Sequence, residues 1–250
     1  MVICLPTFPF KPHPATLESI KDEVPLLEKA GWEHGIVSEI GNPYISAARA
    51  SMLRKALDAK ATVAFFLDSD LSWSPGDLLK VIETEGEVVA GTYRFKKEEE
   101  EYMGNLAPGP FGRPFVRESD GAIKATAIPG GFLKVTRGAV NFFMESYPEL
   151  CFGEHSNPSV DLFNHGAHKR IWWGEDYAFS RNWTDIGGEI WLVPDIDVAH
   201  NSGPGAASEG KPAIYPGNFH RYMLRQPGGS NSTEPENPTE LLNKALAKRI

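Results

Sequence analysis

Two aspartates, Asp68 and Asp70, follow the apolar run VAFFL in the segment VAFFLDSDLSWSP. In an extended stretch, side chains two residues apart lie on the same face, so both carboxylates point the same way. Negative charge at the edge of a hydrophobic strand is costly unless a positive charge lies beside it. Two such carboxylates suit a hard divalent cation, Mg²⁺ or Mn²⁺, which in turn binds phosphate oxygens. The pattern alone leaves one alternative open, in which the pair satisfies backbone donors of a loop.

A third candidate ligand is His200, which ends the later apolar segment IDVAH. An imidazole beside two carboxylates suits Mn²⁺ better than Ca²⁺. The alternative is a surface histidine at the end of a strand. A second Asp-x-Asp, formed by Asp195 and Asp197, follows Pro194 and precedes an alternating segment, which indicates turn and strand-surface roles instead.

The first 95 residues must position the aspartates through alternating strands and helices. The helices are expected to begin near Thr16, a candidate cap, at Ser46 and at Ser74. At the third of these, Ser74 is the predicted N-cap, Pro75 the first helical residue and Asp77 the capping-box acid. This alternation predicts a parallel, doubly wound sheet with ligands at the carboxyl ends of its strands. The predicted strands between the helices are MVICLPTF, HGIVSEI, ATVAFFL and EVVAGTY.

The second half of the chain has a less regular pattern. A hairpin is expected to turn at Asp120-Gly121, and residues 151–171 lack a clear period, which predicts a long loop. Two helices are predicted, over about 136–147 and 175–186, and EIWLV and IDVAH are predicted strands. The polar tail 226–250 is expected to carry a short helix around 241–248.

Composition narrows the class of protein. The chain has 250 residues with a net charge of −8, which disfavours a basic nucleic-acid surface. It contains no apolar run of about 18 residues, so no transmembrane segment is predicted. The N-terminus is typical of a first strand and not of a signal peptide, and the two separated cysteines indicate free thiols in a reducing compartment. We therefore expect a cytoplasmic location, and the sequence gives no indication of the oligomeric state.

Six short segments occur in an order that resembles GT-A-type glycosyltransferases, most of all a group common in phage and environmental bacterial sequences. The resemblance covers roughly residues 1–225, and it implies a cytoplasmic location in a bacterial or phage-infected host cell. It also implies an α/β fold with a Rossmann-like mixed, mainly parallel sheet flanked by helices in a single continuous domain. Residues 1–100 would form the nucleotide-sugar half and 101–225 the acceptor half. The segments are ISAARASMLRKAL, VAFFLDSDLSWSPGDLL, VVAGTYRFK, IPGGFLKVTR, WWGEDYAFSRNWTDIGGEIWL and AHNSG.

The resemblance implies a donor that is a UDP-sugar or another nucleotide-diphospho-sugar. The family's metal- and diphosphate-binding motif matches Asp68, Ser69 and Asp70, and its late metal-binding histidine matches His200. Its acidic pair at a helix start matches Glu175 and Asp176. Transfer by inversion needs a carboxylate as general base for the acceptor hydroxyl, with Asp176 the first candidate and Glu175 the second. The alternative for this pair is a helix start stabilised by its own acidic residues.

Further contacts are predicted on both sides of the reaction. Thr7, Glu39, Arg49 and Lys96 lie after predicted strands or at a helix start, and are candidate donor contacts. Tyr93 and Arg94 lie past the end of a strand and are expected to line the same cleft. On the acceptor side, backbone can approach a ligand closely at two glycines, and aromatic faces stack on sugar rings or bases. These acceptor candidates are Gly130, Gly131, Trp172 and Trp173, with core packing as the alternative for Trp173.

Three other functions stay open at this stage. A non-catalytic nucleotide-sugar binding protein would keep the same motifs. A sugar nucleotidyltransferase would place a Gly-rich basic loop after the first strand, which LPTFPFKPHP lacks, and a D-x-D phosphatase ordinarily carries its aspartates after the first strand rather than the third. The acceptor also stays open between a glycan, a small molecule and a hydroxymethylated DNA base.

Overall fold

A computed structural model of the chain describes residues 1–8, 11–204, 210 and 212–226. Within these residues the α-helices are α1 Pro14–Lys29, α2 Ile45–Asp58, α3 Asp77–Glu83, α4 Arg137–Ser146, α5 Glu175–Asp185 and α6 Phe219–Arg225. The strands are β1 Val2–Thr7, β2 Gly35–Ile40, β3 Val63–Leu67, β4 Leu71–Trp73, β5 Val88–Gly91, β6 Asn105–Leu106, β7 Ile123–Ala127, β8 Phe132–Thr136, β9 Cys151–Glu154, β10 Asn157–Val160, β11 Gly166–His168, β12 Ile171–Trp173, β13 Ile190–Val193, β14 Asp197–Asn201 and β15 Ile214–Asn218.

The central sheet has eight strands in the order β2-β1-β3-β8-β5-β13-β7-β6. Strands β7 and β8 run opposite to the other six, so the sheet is mixed but mainly parallel. The predicted α/β class, a mixed and mainly parallel sheet flanked by helices, is therefore confirmed. The central-sheet strands of the first 95 residues, β1, β2, β3 and β5, run parallel to one another as their alternation with helices predicts, but β8 lies between β3 and β5 and pairs antiparallel with both.

Helices cover both faces of this sheet. Strand β3 sends Ala64 and Phe66 into one core with residues of α2, α4 and α5, and sends Val63, Phe65 and Leu67 into the other with residues of α1 and α3. All five residues of β3 are buried. Burial on both faces explains why the run ATVAFFL is apolar throughout and lacks an alternating pattern. Because every residue of β3 is buried, the loop that follows β3 is the first part of this stretch that can line a cleft.

A smaller sheet, in the order β15-β14-β4, brings a late part of the chain beside that loop. Strand β4 begins directly after Asp70, and β14 pairs antiparallel with it so that His200 lies opposite Leu71. This pairing places His200, which is far from Asp70 in the sequence, next to the Asp-x-Asp motif.

Two other sequence predictions need correction. Residues 151–171 do not form one long loop, because they contain the antiparallel hairpin β9–β10 and most of a second one, β11–β12. Helix α1 is capped by His13, whose Nδ1 accepts the Ala15 N–H, and not by Thr16. The turn predicted at Asp120-Gly121 is present, since the Arg117 N–H donates to the Ala122 carbonyl across it.

The predicted tail helix around 241–248 lies outside the described residues. Across the residues that the structure does describe, no helix combines the length and apolar content needed to cross a membrane.

Helix α3 starts differently from its sequence prediction. Its N-cap is Gly76, so it begins later than a cap at Ser74 would allow, and Gly76 adopts a left-handed φ of 94°. The carboxylate of the buried Glu23, on α1, accepts hydrogen bonds from the Gly76 and Leu79 N–H groups and from the Trp73 indole, each at 3.0 Å. The Glu23 carboxylate, from another helix, therefore accepts the N–H groups at the start of α3 that the Ser74 side chain was predicted to cap.

Replacing Glu23 with Ala should lower the free energy of unfolding by about 3–5 kcal/mol, since the buried Trp73 indole N–H and two partly buried backbone N–H groups lose their acceptor. Replacing the exposed Ser74 with Ala should change it by no more than about 0.5 kcal/mol. Urea denaturation of both variants measures the difference. Equal losses in the two variants would contradict this account of how α3 begins.

Candidate active site

The loop that carries the Asp-x-Asp motif is fixed through its backbone. The Ser69 carbonyl accepts hydrogen bonds from the His13 N–H at 2.7 Å and from the Thr16 hydroxyl at 3.1 Å, both at the start of α1. The Asp70 carbonyl accepts from the backbone N–H and the side-chain amide of Asn201, at 2.8 and 3.0 Å. Because the backbone is held from two sides, the side chains of the loop project in fixed directions.

Two side chains, those of Lys96 and His200, converge on the carboxylate of Asp70. Its Oδ2 lies 2.5 Å from Lys96 Nζ and 3.4 Å from His200 Nε2. Burial alone raises the pKa of Asp70, but hydrogen bonds and charge from His200 and Lys96 outweigh that effect and hold the pKa at about 2. Asp70 is therefore a carboxylate throughout the physiological pH range, and the predicted pairing of Asp70 with residue 200 is present in the structure.

The imidazole of His200 is oriented as a metal ligand would be. Its Nδ1 lies 2.9 Å from the Arg94 carbonyl, which requires an N–H at Nδ1. Nε2 is the ring nitrogen on the side of Asp70, and without its proton it would offer a lone pair to a cation lying between the two side chains. Metal-binding histidines commonly donate their second N–H to a carbonyl in this way. A separation of 3.4 Å also suits two ligands of one ion, each about 2.1 Å from it.

The third predicted metal ligand, Asp68, is turned towards other partners. Its Oδ1 accepts from Arg49 at 2.9 Å, and its Oδ2 accepts from the Tyr93 hydroxyl at 3.3 Å. Among the described residues, no three acidic, histidine or cysteine side chains gather around one metal position. The residues that could hold a cation are thus Asp70 and His200, with Asp68 two residues before Asp70 in the same loop.

Arg49, predicted to contact a donor phosphate, forms a buried bridge instead. Its guanidinium donates to Asp68 at 2.9 Å and to Glu175 at 3.0 Å, and its carbon lies 4.8 Å from the centre of the Phe163 ring. The side chain is 2% exposed. Burial alone lowers the pKa of Arg49, but the charges of Asp68 and Glu175 outweigh it and raise the pKa, so the bridge stays charged.

Gly130 and Gly131 make room for this bridge. A Cβ at Gly130 would lie 2.6 Å from an Arg49 nitrogen, and one at Gly131 would lie 2.2 Å from Asp68 Oδ2 and 2.3 Å from the Tyr93 hydroxyl. The close approach predicted at these glycines is therefore to side chains of the chain itself. Burial first, and the Asp68 charge second, raise the pKa of Tyr93 well above its usual value, so its hydroxyl remains a donor.

The acidic pair at the start of α5 is divided into two environments. Glu175 is bound to Arg49, whereas no ion pair among the described residues involves Asp176, which accepts only the N–H of its neighbour Tyr177, at 2.8 Å. Burial first, and the charge of Glu175 second, raise the pKa of Asp176 to about 6. The environment of Asp176 therefore suits a proton acceptor near neutral pH, and that of Glu175 suits a structural anchor.

A cleft of about 250 Å³ opens beside these groups. Thr7 and Glu39, both predicted donor contacts, are not among its lining residues. The Thr7 hydroxyl donates to the Glu39 carbonyl, and the Glu39 carboxylate accepts from Ser51 and Lys55 on α2. Two larger cavities in the described part of the chain, of about 690 and 850 Å³, contain neither motif aspartate. The cleft is lined by Pro6, Phe8, Asn42, Pro43, Ile45, Arg49, Asp68, Ser69, Asp70 and Glu175.

The two predicted acceptor tryptophans lie on opposite faces of the hairpin β11–β12. Trp173 packs on α5, with the Arg181 guanidinium 4.9 Å from its ring centre, and its buried indole N–H has no partner among the described residues. Trp172 is 72% exposed. Trp173 is thus half-buried against Arg181 without belonging to either apolar core, and of the two rings only that of Trp172 is free.

Sequence reasoning missed the residues that hold the site together. Asn201 and the start of α1 fix the loop through its backbone, and Thr16 had been assigned a capping role instead. A local signal existed for Asn201, which directly follows the predicted ligand His200. The role of Arg49 between two acids distant in sequence left no such signal.

No protein-family model matches the chain, and no curated protein matches it either. Among solved structures, the crystal structure of A197 from STIV is similar at 16% identity and a TM-score of 0.47, over 81% of this chain and 85% of that one. GalNAc-T7 with UDP, GalNAc and Mn²⁺ is similar at 16% and 0.41, over 79% and 37%. The catalytic domain of Drosophila beta1,4galactosyltransferase 7 in complex with xylobiose is similar at 14% and 0.42, over 97% and 78%. With TM-scores below 0.5, these likenesses assign no residue a role.

Replacing Arg49 with Met should lower the free energy of unfolding by about 3–5 kcal/mol, because two carboxylates would then face each other without their shared cation. Lys55, on the same helix, forms an exposed ion pair with Glu39. Its replacement with Met should cost no more than about 1 kcal/mol. Chemical denaturation at pH 7 compares the two variants, and a loss at Arg49 as small as that at Lys55 would contradict the bridging role.

Proposed function

We propose that the chain is a metal-dependent glycosyltransferase of the GT-A type, which moves a sugar from a nucleotide-diphospho-sugar to a hydroxyl group of an acceptor. The observation that carries this proposal is the approach of His200 to Asp70, at 3.4 Å, across the β4–β14 pairing. It supports the ligand pair that the sequence resemblance implies. Membership of a group common in phage, and a cytoplasmic location, stay predictions.

Asp70 and His200 would hold the cation, Mn²⁺ or Mg²⁺, with Asp68 and Ser69 in the same loop. When bound, the cation offsets the charge that develops on the departing diphosphate. The chain supplies a second positive charge in Lys96, whose ammonium already contacts Asp70. Lys96 thus lies where it can bind a diphosphate oxygen beside the motif.

Asp176 would act as the general base for the acceptor hydroxyl. It lies at the start of α5 next to Glu175, which lines the cleft, and its raised pKa suits proton removal near neutral pH. Glu175 is bound to Arg49 and would hold the helix start in place. A separate base of this kind supports an inverting reaction, in which the acceptor attacks directly.

The alternative functions gain less support. A D-x-D phosphatase needs its first aspartate free for attack on phosphorus, but both oxygens of Asp68 are engaged, by Arg49 and by Tyr93. A sugar nucleotidyltransferase still lacks its glycine-rich basic loop after β1. A non-catalytic nucleotide-sugar binder would share the metal site, and slow hydrolysis of the donor in the presence of Mn²⁺ would distinguish the enzyme from it.

Replacing Asp70 or His200 with Ala should abolish the Mn²⁺-dependent part of UDP binding, measured by isothermal titration calorimetry with and without chelator. We expect an affinity loss of at least roughly 10- to 100-fold, since even outer-shell ligand partners are worth that much. The exposed His220 on α6 provides the matched control, and its replacement with Ala should leave UDP binding unchanged. Unaltered Mn²⁺-dependent binding in the His200→Ala variant would exclude its role as ligand.

Replacing Asp176 with Asn should keep UDP affinity while the transfer rate falls by roughly 10²–10⁴-fold, the usual contribution of a general base. In the unaltered protein the base is active when deprotonated, so the rate should rise with pH up to about 6 and level off above it. Rates measured between pH 4.5 and 8 test this profile. If Glu175→Gln abolishes transfer and Asp176→Asn does not, the base is Glu175.

A further inference from the structure

The hairpin β11–β12 ends in a two-residue turn made of Lys169 and Arg170. Both residues have positive φ angles, 47° and 70°, and both side chains are exposed. Turns with φ above zero at both central residues strongly favour Asn-Gly and similar pairs. Residues held in this conformation at a cost cluster at functional sites. Two adjacent cations therefore occupy a position where the backbone itself favours smaller, uncharged residues.

The positive charge of this turn is available to a ligand. None of the ion pairs formed among the described residues involves Lys169 or Arg170. On an acidic chain of net charge −8, such a pair gives a local site for an anion.

A free aromatic ring lies behind the turn on the same hairpin. Trp172 is opposite Ala167 in the strand pairing, so a small side chain leaves its ring uncovered, and it is 72% exposed. The ring of His165 lies 6.2 Å from it, and His165 Nδ1 is 3.1 Å from the Ser46 hydroxyl at the start of α2. His165 thus connects Trp172 to the start of α2, whose first residue, Ile45, lines the cleft.

The hairpin also leads directly into the proposed catalytic residues. Trp173 packs the hairpin on Arg181 of α5. Gly174 follows Trp173, and α5 begins at the next residue, Glu175. Strand β12 is extended, with a rise of about 3.3 Å per residue, so the turn lies roughly 10 Å from Trp173, which is next to the start of α5. A ligand that reaches from the turn to the start of α5 is therefore longer than a single sugar ring.

We infer that the hairpin β11–β12 selects an acidic oligosaccharide as the acceptor, with a sugar ring stacked on Trp172 and an acidic group bound by Lys169 and Arg170. This inference rests on the proposed function for the identity of the ligand as acceptor. The acidic group is a carboxylate, sulfate or phosphate, since all three accept hydrogen bonds from these cations. A nucleic acid fits less well, because its repeated phosphates require a cationic groove along the backbone and this chain is acidic.

The double variant K169N/R170G removes both charges and keeps residues that favour the same turn. W172A removes the ring, and W172F restores an aromatic surface. Lys60 is an exposed lysine with a φ of 56°, and it precedes β3, at the opposite end of that strand from Asp68. K60N is therefore the matched control for charge and backbone conformation, and thermal melting of each variant establishes that it is folded.

Binding is measured on the full chain without donor, by titrating tetragalacturonic acid, a sulfated tetrasaccharide, neutral maltotetraose and an oligothymidylate. We expect the acidic saccharides to bind, and K169N/R170G and W172A each to raise the Kd by at least roughly tenfold while W172F and K60N change little. Equal binding of maltotetraose, tighter binding of oligothymidylate, no saccharide binding, or no loss in the two hairpin variants would each overturn the inference. UDP binding with Mn²⁺, measured in the same samples, distinguishes the two proposals. If UDP binds and the saccharides do not, the hairpin inference alone is wrong. If UDP does not bind, the proposed function is wrong.

Discussion

The buried guanidinium of Arg49 joins Asp68, at the end of β3, to Glu175, at the start of α5. Without a shared cation, these two carboxylates would repel each other at the wall of the cleft. Gly130 and Gly131, which directly precede β8, leave the space that this bridge and the Tyr93 hydroxyl require. The loop of the donor motif and the helix of the proposed base therefore keep a fixed relation, and the cleft between them depends on one arginine.

The four acids of the site differ in what neutralises them, and this division sets their chemistry. Asp68 and Glu175 share Arg49 and have structural surroundings. Asp70 lies against Lys96 and His200, which keep it ionised and suit it to a cation. In the described part of the chain, Asp176 has no positively charged partner, and its raised pKa suits proton transfer. Similar side chains thus acquire separate roles through their neighbours.

Local patterns in the sequence predicted what depends on local physics. The buried strand VAFFL, the helix beginning at Glu175 and the strand ending near His200 were all found, because apolar runs and acidic helix starts are short-range signals. The antiparallel strand β8, the cap supplied by Glu23 and the Arg49 bridge were missed. Each depends on partners distant in sequence, and an arginine in α2 looks the same whether it meets a phosphate or two acids. Thr7 and Glu39 were placed at the correct edge of the sheet, but hydrogen bonds to neighbouring strands and helices turn them from the cleft.

Because β14 pairs with β4, the position of His200 beside Asp70 depends on the register of β14. Alternate side chains of a strand lie on opposite faces, and His200 shares a face with the buried Val198, across from Leu71 and Trp73. Loss of one residue within β14 would exchange its two faces, placing an asparagine beside the motif and the imidazole on the opposite face, whereas loss of two would preserve the alternation. Insertions or deletions that keep the site must therefore fall in the connecting loops and not within this strand.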